Sequence, residues 1–296
     1  MSNLKEVKNR ITSIQSTQQI TSAMKMVAAA KLRKAQDKIT KMRPYSEKLT
    51  GILKNVSSGL DDAGNIYSQE REVEKVLLVV VTSDRGLCGS FNSNVFKSTV
   101  ALINEKYSSV ESNGGLYIMP IGKRSNDYFV KRKYQVLSDH ALIINELSFD
   151  VAKKAAEQAM NGFAQGEFDR VELVYNEFKN VATQILRTEQ FLPIPAAEAE
   201  DDSAVASNID YLFEPSQSVV VDEIIPKSLK IQFYKALLES NASEHGARMT
   251  AMDQATDNAG ELLKELRLTY NRTRQAAITK EILEIVGGAE ALAANG

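Results

Sequence analysis

Two stretches of apolar residues spaced three and four apart, one at each end of the chain, constrain the fold more than any other feature. From Leu4 to Leu60 such steps pass seventeen positions, and all but Gln18, Thr21, Lys25 and Ser46 are apolar. That spacing predicts one helix over residues 1–60 carrying a coiled-coil seam. At Gln18–Lys25 the seam turns polar while Ile20, Met24 and Val27 occupy a neighbouring face, which predicts a local stutter. Pro44 falls inside the pattern and removes the N–H that would bond the Thr40 carbonyl, so a bend is expected there. Near the other end the same steps run from Leu238 through His245, Met252, Ala259 and Leu263 to Thr273. The phase then shifts to Ile278, Ile282, Ile285, Ala289 and Leu292. Sixty helical residues span about 90 Å, more than a compact domain uses. Two such helices at opposite ends of one chain are expected to pair antiparallel.

Between them the pattern alternates. Val76–Thr82, Leu116–Ile121, Tyr134–Leu137, Val171–Phe178 and Gln184–Phe191 read as strands. Helical stretches near Asn92–Ser108, Ser125–Lys133 and Phe149–Phe163 separate the first four. The run VLLVVV is apolar on both faces, as in a central buried strand. Residues 193–208 read as a surface loop. The expected fold is α/β: a long antiparallel coiled coil of the N-terminal (1–60) and C-terminal (209–296) helices with an inserted Rossmann-like α/β domain (75–208).

Charge is unevenly placed. Residues 1–50 hold eleven Lys/Arg against Glu6, Asp37 and Glu47, a balance of +8 in a chain of net −2. No basic residue lies between Arg187 and Lys227, whereas Glu198, Glu200, Asp201 and Asp202 cluster there. The asymmetry points to an acidic partner for the first helix, with a solvated helix face as the plain alternative. A lone Cys88 and two histidines provide neither a disulfide framework nor a Cys/His zinc site. No apolar run reaches the length of a membrane span, and the start MSNLKEVKNRI lacks a secretory or import pattern. These features suggest a reducing, bacterial cytoplasm.

Catalytic motifs are weak. The turn Ser83–Ser90 is glycine-rich and joins a strand to a helix, a place where backbone N–H groups hold phosphate. It lacks the three-glycine dinucleotide pattern, and no acidic residue ends the second strand. Gly122–Ser125 has the end of a phosphate loop without its beginning, since Tyr117 stands where the first glycine belongs. Cys88 needs a nearby histidine to act as a nucleophile, and neither His140 nor His245 has a supporting context. Glu281/Glu284 and Asp201/Asp202 read as solvated charge. The basic stretch 25–48 contains one aromatic, Tyr45, and the pI is near 5.9, which argues against nucleic acid as a partner.

Three segments carry a family resemblance. LKEVKNRITSIQSTQQITSAMKMVAAAKLRKAQ at 4–36 and TSDRGLCGSFN at 82–92 resemble the first helix and the first strand-to-helix turn of F-type ATP synthase gamma subunits. The segment at 242–292, with ITKEILEIVGGA, is similar to their last helix. The resemblance implies a non-catalytic rotor shaft that couples a proton-driven c-ring to ATP synthesis in an alpha/beta hexamer. Implied partners are the alpha and beta subunits, the epsilon subunit and the c-subunit ring. The chain itself would bind no cofactor or metal, with Mg-ATP/ADP held by alpha and beta. Its place would be peripheral, on the cytoplasmic side of the bacterial inner membrane, with no membrane contact except through the complex. By the same resemblance Met24, Lys25, Ala28, Lys31 and Arg33 face the acidic lever of beta. Arg274, Gln275, Thr279 and Glu281 meet catch loops of the hexamer, and Ile282, Ile285, Val286 and Leu292 sit in an apolar bearing. Tyr211, Phe213 and Glu214 lie on the c-ring loops. From the residues alone, the isoleucines read as seam residues and Tyr211 and Phe213 as domain core. Two rivals stand beside this reading: a freestanding nucleotide-dependent enzyme, and a coiled-coil scaffold or nucleic-acid protein unrelated to ATP synthase.

Overall fold

A computed structural model describes residues 4–57, 66–195 and 217–294. Two long helices enclose the rest: α1, Leu4–Ser57, and α6, Gln217–Ala294. Both remain helical across an internal proline, Pro44 in α1 and Pro226 in α6. The residues form two compact units, Met1–Ala28 with Met249–Gly296, and Ala29–Arg248.

In the first unit α1 and α6 run antiparallel. Lys25 Nζ meets Asp253 Oδ1 at 2.5 Å, and Thr256 Oγ1 lies 2.7 Å from Thr21 Oγ1. The expected seam positions turn inward: Val7, Thr21, Ala28, Met252, Ala259 and Leu263 are buried, while Leu4, Ile11, Ile14, Gln18 and Lys25 are half-buried. The stutter expected at Gln18–Lys25 does not occur. Ile20, Met26 and Val27 stay exposed and the packing phase continues, because each polar seam residue finds a polar or notched partner on α6.

The second unit is built on a five-stranded sheet. Its strands are β1 (Val76–Val81), β2 (Leu116–Ile121), β3 (Gln135–Val136), β4 (Arg170–Phe178) and β5 (Gln184–Leu192). The order is β3-β2-β1-β4-β5, with every pair parallel except β4 with β5. Helices α2 (Phe91–Lys106), α3 (Ser108–Ser112), α4 (Lys123–Lys131) and α5 (Phe149–Ala164) connect the strands. Two 3-10 turns, Ser138–His140 and Ile143–Glu146, precede α5.

All six residues of β1 are buried, as its unbroken apolar run requires. On one face Val76, Leu78 and Val80 pack with Val95 and Ile103 of α2, with Tyr107 just beyond its end, and with Phe129 of α4. Phe129 is fully buried, a burial that contributes about 1.5–3 kcal/mol. Helix α5 buries a small-residue face, Ala152, Ala155, Ala156 and Ala159, which permits close approach. Close fit is required at Gly162, where an added Cβ would lie 2.6 Å from the Phe168 ring. Where α6 packs in this unit, Phe233 lies tilted against Phe191 with ring centroids 5.8 Å apart. The compact unit is thus wider than residues 75–208, because parts of both long helices pack with the sheet domain.

Candidate functional site

In a doubly wound sheet the place to expect a small ligand is the crevice at the carboxyl ends of the strands, where the winding reverses. Here the reversal lies between β1 and β4, and side chains of α6 reach the ends of both strands. The buried carboxylate of Glu239, 1% exposed, accepts from the Phe178 N–H at 3.1 Å at the end of β4. It also accepts from Arg43 Nη2 at 3.3 Å. At the end of β1, Arg248 Nη2 donates to the carbonyls of Arg85 and Gly86 at 3.0 and 3.2 Å. The same guanidinium is paired through Nη1 with Glu244.

The two turns with phosphate-loop character hold each other rather than an anion. Ser83 N donates to Asn92 Oδ1, Lys123 N to Asp84 Oδ1, Arg124 N to the Ser83 carbonyl and Ser125 N to Thr82 Oγ1. Gly122 N donates to the Ala141 carbonyl. All four amides of the Gly122–Ser125 turn are thus occupied, which leaves that turn no N–H with which to cradle phosphate. Gly122 has φ +108°, and a Cβ there would stand 2.2 Å from the Thr82 carbonyl oxygen, so glycine is required for the turns to meet. Cys88 is buried among Ser83, Asn92 and the Arg85 carbonyl. Burial pushes its thiol up, away from the reactive thiolate. His245 is also buried and held neutral, its pKa lowered to about 4 by burial and by the charges of Arg248 and Lys31. Among the described residues no cluster of His, Cys, Asp or Glu could hold a metal, and no helix is long and apolar enough to cross a membrane.

The molecule instead offers helical surface. In the first unit, cross-helix pairs occupy positions summing to about 278, so Leu4 stands opposite roughly residue 274. Past that point α6 has no described α1 residue beside it, and every residue from Ile278 to Glu290 is exposed. By helical spacing, Arg274, Ile278, Glu281 and Ile285 form one stripe and Gln275, Thr279, Ile282 and Val286 the next. Ile282, Leu283, Ile285 and Val286 are all exposed, Ile285 at 71%. Thr279 Oγ1 donates back to the Gln275 carbonyl at 3.0 Å, while Arg274 and Glu281 point to solvent.

On α1 the expected partner-facing set divides. Lys31 and Arg33 are exposed and Met24 is half-buried. Ala28 is corrected: at 1% exposure it is a seam residue whose methyl is buried within the chain. The Lys25 ammonium is engaged by Asp253, a residue 228 positions away. Tyr211, Phe213 and Glu214 lie outside the described residues. Sequence reasoning missed Leu283 and Met26 as exposed apolar residues; an apolar residue off the seam was the available signal.

Strand ends tied to the chain's own helix, together with an apolar helix end left bare, are features of a helical framework with surface for other chains. Comparison with known proteins agrees. A family model described as ATP synthase matches residues 3–292. An ATP synthase gamma chain of Cytophaga hutchinsonii is 60% identical over 293 residues, covering 99% of both chains. One from Flavobacterium psychrophilum is 54% identical over the same share. The fold is similar to a chain in the mitochondrial ATP synthase of Euglena gracilis, a structure of OSCP, F1 and c-ring, with TM-score 0.70, 22% identity and 99% and 95% of the two chains covered. A chain in the Tetrahymena thermophila mitochondrial ATP synthase, from its central stalk and c-ring, matches with TM-score 0.55 at 24% identity, covering 80% of this chain and 99% of that one. The chain belongs to the ATP synthase gamma chain family.

Proposed function

We propose that the chain is the central rotor shaft of an F-type ATP synthase, coupling proton-driven rotation of a c-ring to ATP synthesis or hydrolysis in an alpha/beta hexamer. Family membership over residues 3–292 supports the assignment. The structural observation that carries it is the solitary end of α6, whose exposed isoleucines and valine await a surface outside the chain. An apolar helix end seated in a collar turns with many small, individually weak contacts and no strong anchor. Polar residues just below it, Arg274, Gln275, Thr279 and Glu281, would bond particular loops of the collar in particular rotational states. Each catalytic subunit would then meet a different face of the shaft. Contacts that favour one conformation over another shift its population, which is how rotation acts on nucleotide affinity. Mg-ATP and ADP would be held by alpha and beta, and this chain would bind none. Exposed Lys31 and Arg33 suit the acidic lever of beta, with Met24 beside them. The sheet domain would meet the epsilon subunit and, with Tyr211, Phe213 and Glu214, the c-ring. The chain would be held at the cytoplasmic side of a bacterial inner membrane through the complex alone.

The test uses complexes verified to be intact. Arg274→Leu or Glu281→Ala should lower steady-state ATPase and proton pumping well beyond any effect on helix stability. Removing 292–296 should be tolerated far better. Full activity in both point variants would return these residues to ordinary helix surface.

A further inference from the structure

The first unit contains a feature that its seam pattern alone does not require. Apolar positions spaced three and four apart hold two helices together, but they look alike after a slip of one turn or one heptad. At one level that repetition is broken. Thr21 Oγ1 donates to the Gln18 carbonyl at 3.1 Å and faces Thr256 Oγ1 at 2.7 Å. Thr256 shares its one hydroxyl proton between Thr21 and the Met252 carbonyl, also 2.7 Å away. Lys25 and Asp253 meet at 2.5 Å, one turn along. On the other side Gln18 lies over Gly260, where an added Cβ would stand 3.1 Å from its Nε2. Thr21 and Met252 are buried, whereas the Lys25 and Asp253 side chains are 42% and 48% exposed, so the layer runs from the inside of the coil out to its rim.

We infer that the layer Gln18–Thr21–Lys25 against Asp253–Thr256–Gly260 sets the axial register of the coil. Sliding α6 by one turn in one direction brings Lys25 opposite Met249 and Thr21 opposite Met252, leaving an ammonium without its carboxylate. The opposite slip keeps a Lys25 pair, now with Asp257, but sets Thr21 on Gly260 and Gln18 on Lys264. The hydroxyl pair and the glycine notch are then both lost. A slip of one heptad either way places Lys25 against Gly260 or Gly246. Only the observed register satisfies all three contacts, and a polar residue at a seam position is a known way to exclude alternatives at some cost in stability. The polar run in the α1 seam is thus a lock between two helices from opposite ends of the chain. The inference concerns the chain itself and holds whatever shaft role it plays.

The experiment places nitroxide labels on the full chain through Ser13→Cys and Leu283→Cys, both exposed sites, in a Cys88→Ser background. Their axial offset is about 27 Å, and a one-turn slip moves it by about 6 Å. The native layer should give a single narrow distance distribution by pulsed electron resonance. An apolar layer (Gln18→Leu, Thr21→Val, Lys25→Leu, Asp253→Leu, Thr256→Val) should keep its helix content yet show a second or displaced peak. Gly260→Leu alone, which fills the notch and leaves the seam chemistry intact, should also displace the peak. It decides the matter if the five-fold variant does not fold. An unchanged single peak in Gly260→Leu, or in a folded apolar variant, would overturn the inference.

Discussion

His245 should make the stability of this chain fall on mild acidification. Its ring is 8% exposed on α6, and its Nδ1 has no partner among the described residues. Burial, then the neighbouring charges of Arg248 and Lys31, lowers its pKa from 6.5 to about 4. With the folded value depressed, the unfolded chain takes up a proton that the fold refuses. Stability is therefore full above pH 6.5 and drains away as the pH falls toward 4. At pH 5 the loss from this group alone is about 2 kcal/mol, a large share of a typical domain's stability. Glu244 acts with the opposite sign, because burial raises its carboxyl and the fold then holds a proton more readily than the unfolded chain. The wild-type slope therefore mixes both groups, and a variant separates them. His245→Leu removes the imidazole while keeping apolar bulk. Urea unfolding of the full chain at pH 7.5 and 5.0, followed by far-UV circular dichroism because the chain has no tryptophan, measures both slopes. The variant should lose about 2 kcal/mol less than wild type between the two conditions. Parallel pH dependences would refute the reasoning and mean that the ring is solvated.

Glu239→Ala should destabilise by about 3 kcal/mol in urea titrations, since it orphans the buried Phe178 N–H and removes the carboxylate that Arg43 meets. Gly122→Ala should cost at least about 2 kcal/mol or abolish soluble expression, because a Cβ at φ +108° collides with the Thr82 carbonyl. The double change Ile282→Ser/Ile285→Ser should move the stability of the free chain by less than about 0.5 kcal/mol, both side chains being exposed already. In assembled complexes the same pair should lower ATPase turnover, and an unaltered rate would remove these residues from the bearing.

Periodicity made the coil legible from the residues. The three-four register places Val7, Leu32, Ile39, Met252 and Leu263 inward as the structure has them. The central strand was equally plain, since VLLVVV has no polar face to expose. The stutter was misread because a polar seam residue signals a phase break only if its partner is unknown, and Lys25 finds Asp253 from 228 residues away. Short-range pattern cannot report a pair at that separation. The same holds for Glu172, Glu239 and Glu244, whose burial depends on cations or hydroxyls elsewhere in the chain: Lys106 and Tyr107, Arg43, and Arg248. Strand β5 was legible as a strand, and its antiparallel direction follows from the short link to β4, closed by the turn at Asn180–Thr183, which is too short for a parallel crossover. For the partner-facing residues, the phase shift after Thr273 marked where α6 leaves its companion, and the three-four steps from Leu4 already place Ala28 in the seam and Lys31 outside it, as the structure has them.

The antiparallel pairing of the first unit has a consequence for how the chain comes into being. Leu4–Ala28 leaves the ribosome well before its packing partner from Met249 onward, which emerges some 220 residues later. At about 5–20 residues per second, that delay is about 10–45 s. The strands and helices from Val76 to Leu192 are contiguous and can close their sheet during that interval. Throughout it the seam of the opening helix has no mate of its own and is exposed to collapse or to capture. The coil of the first unit can therefore close only after the strands and helices of the sheet have had time to fold.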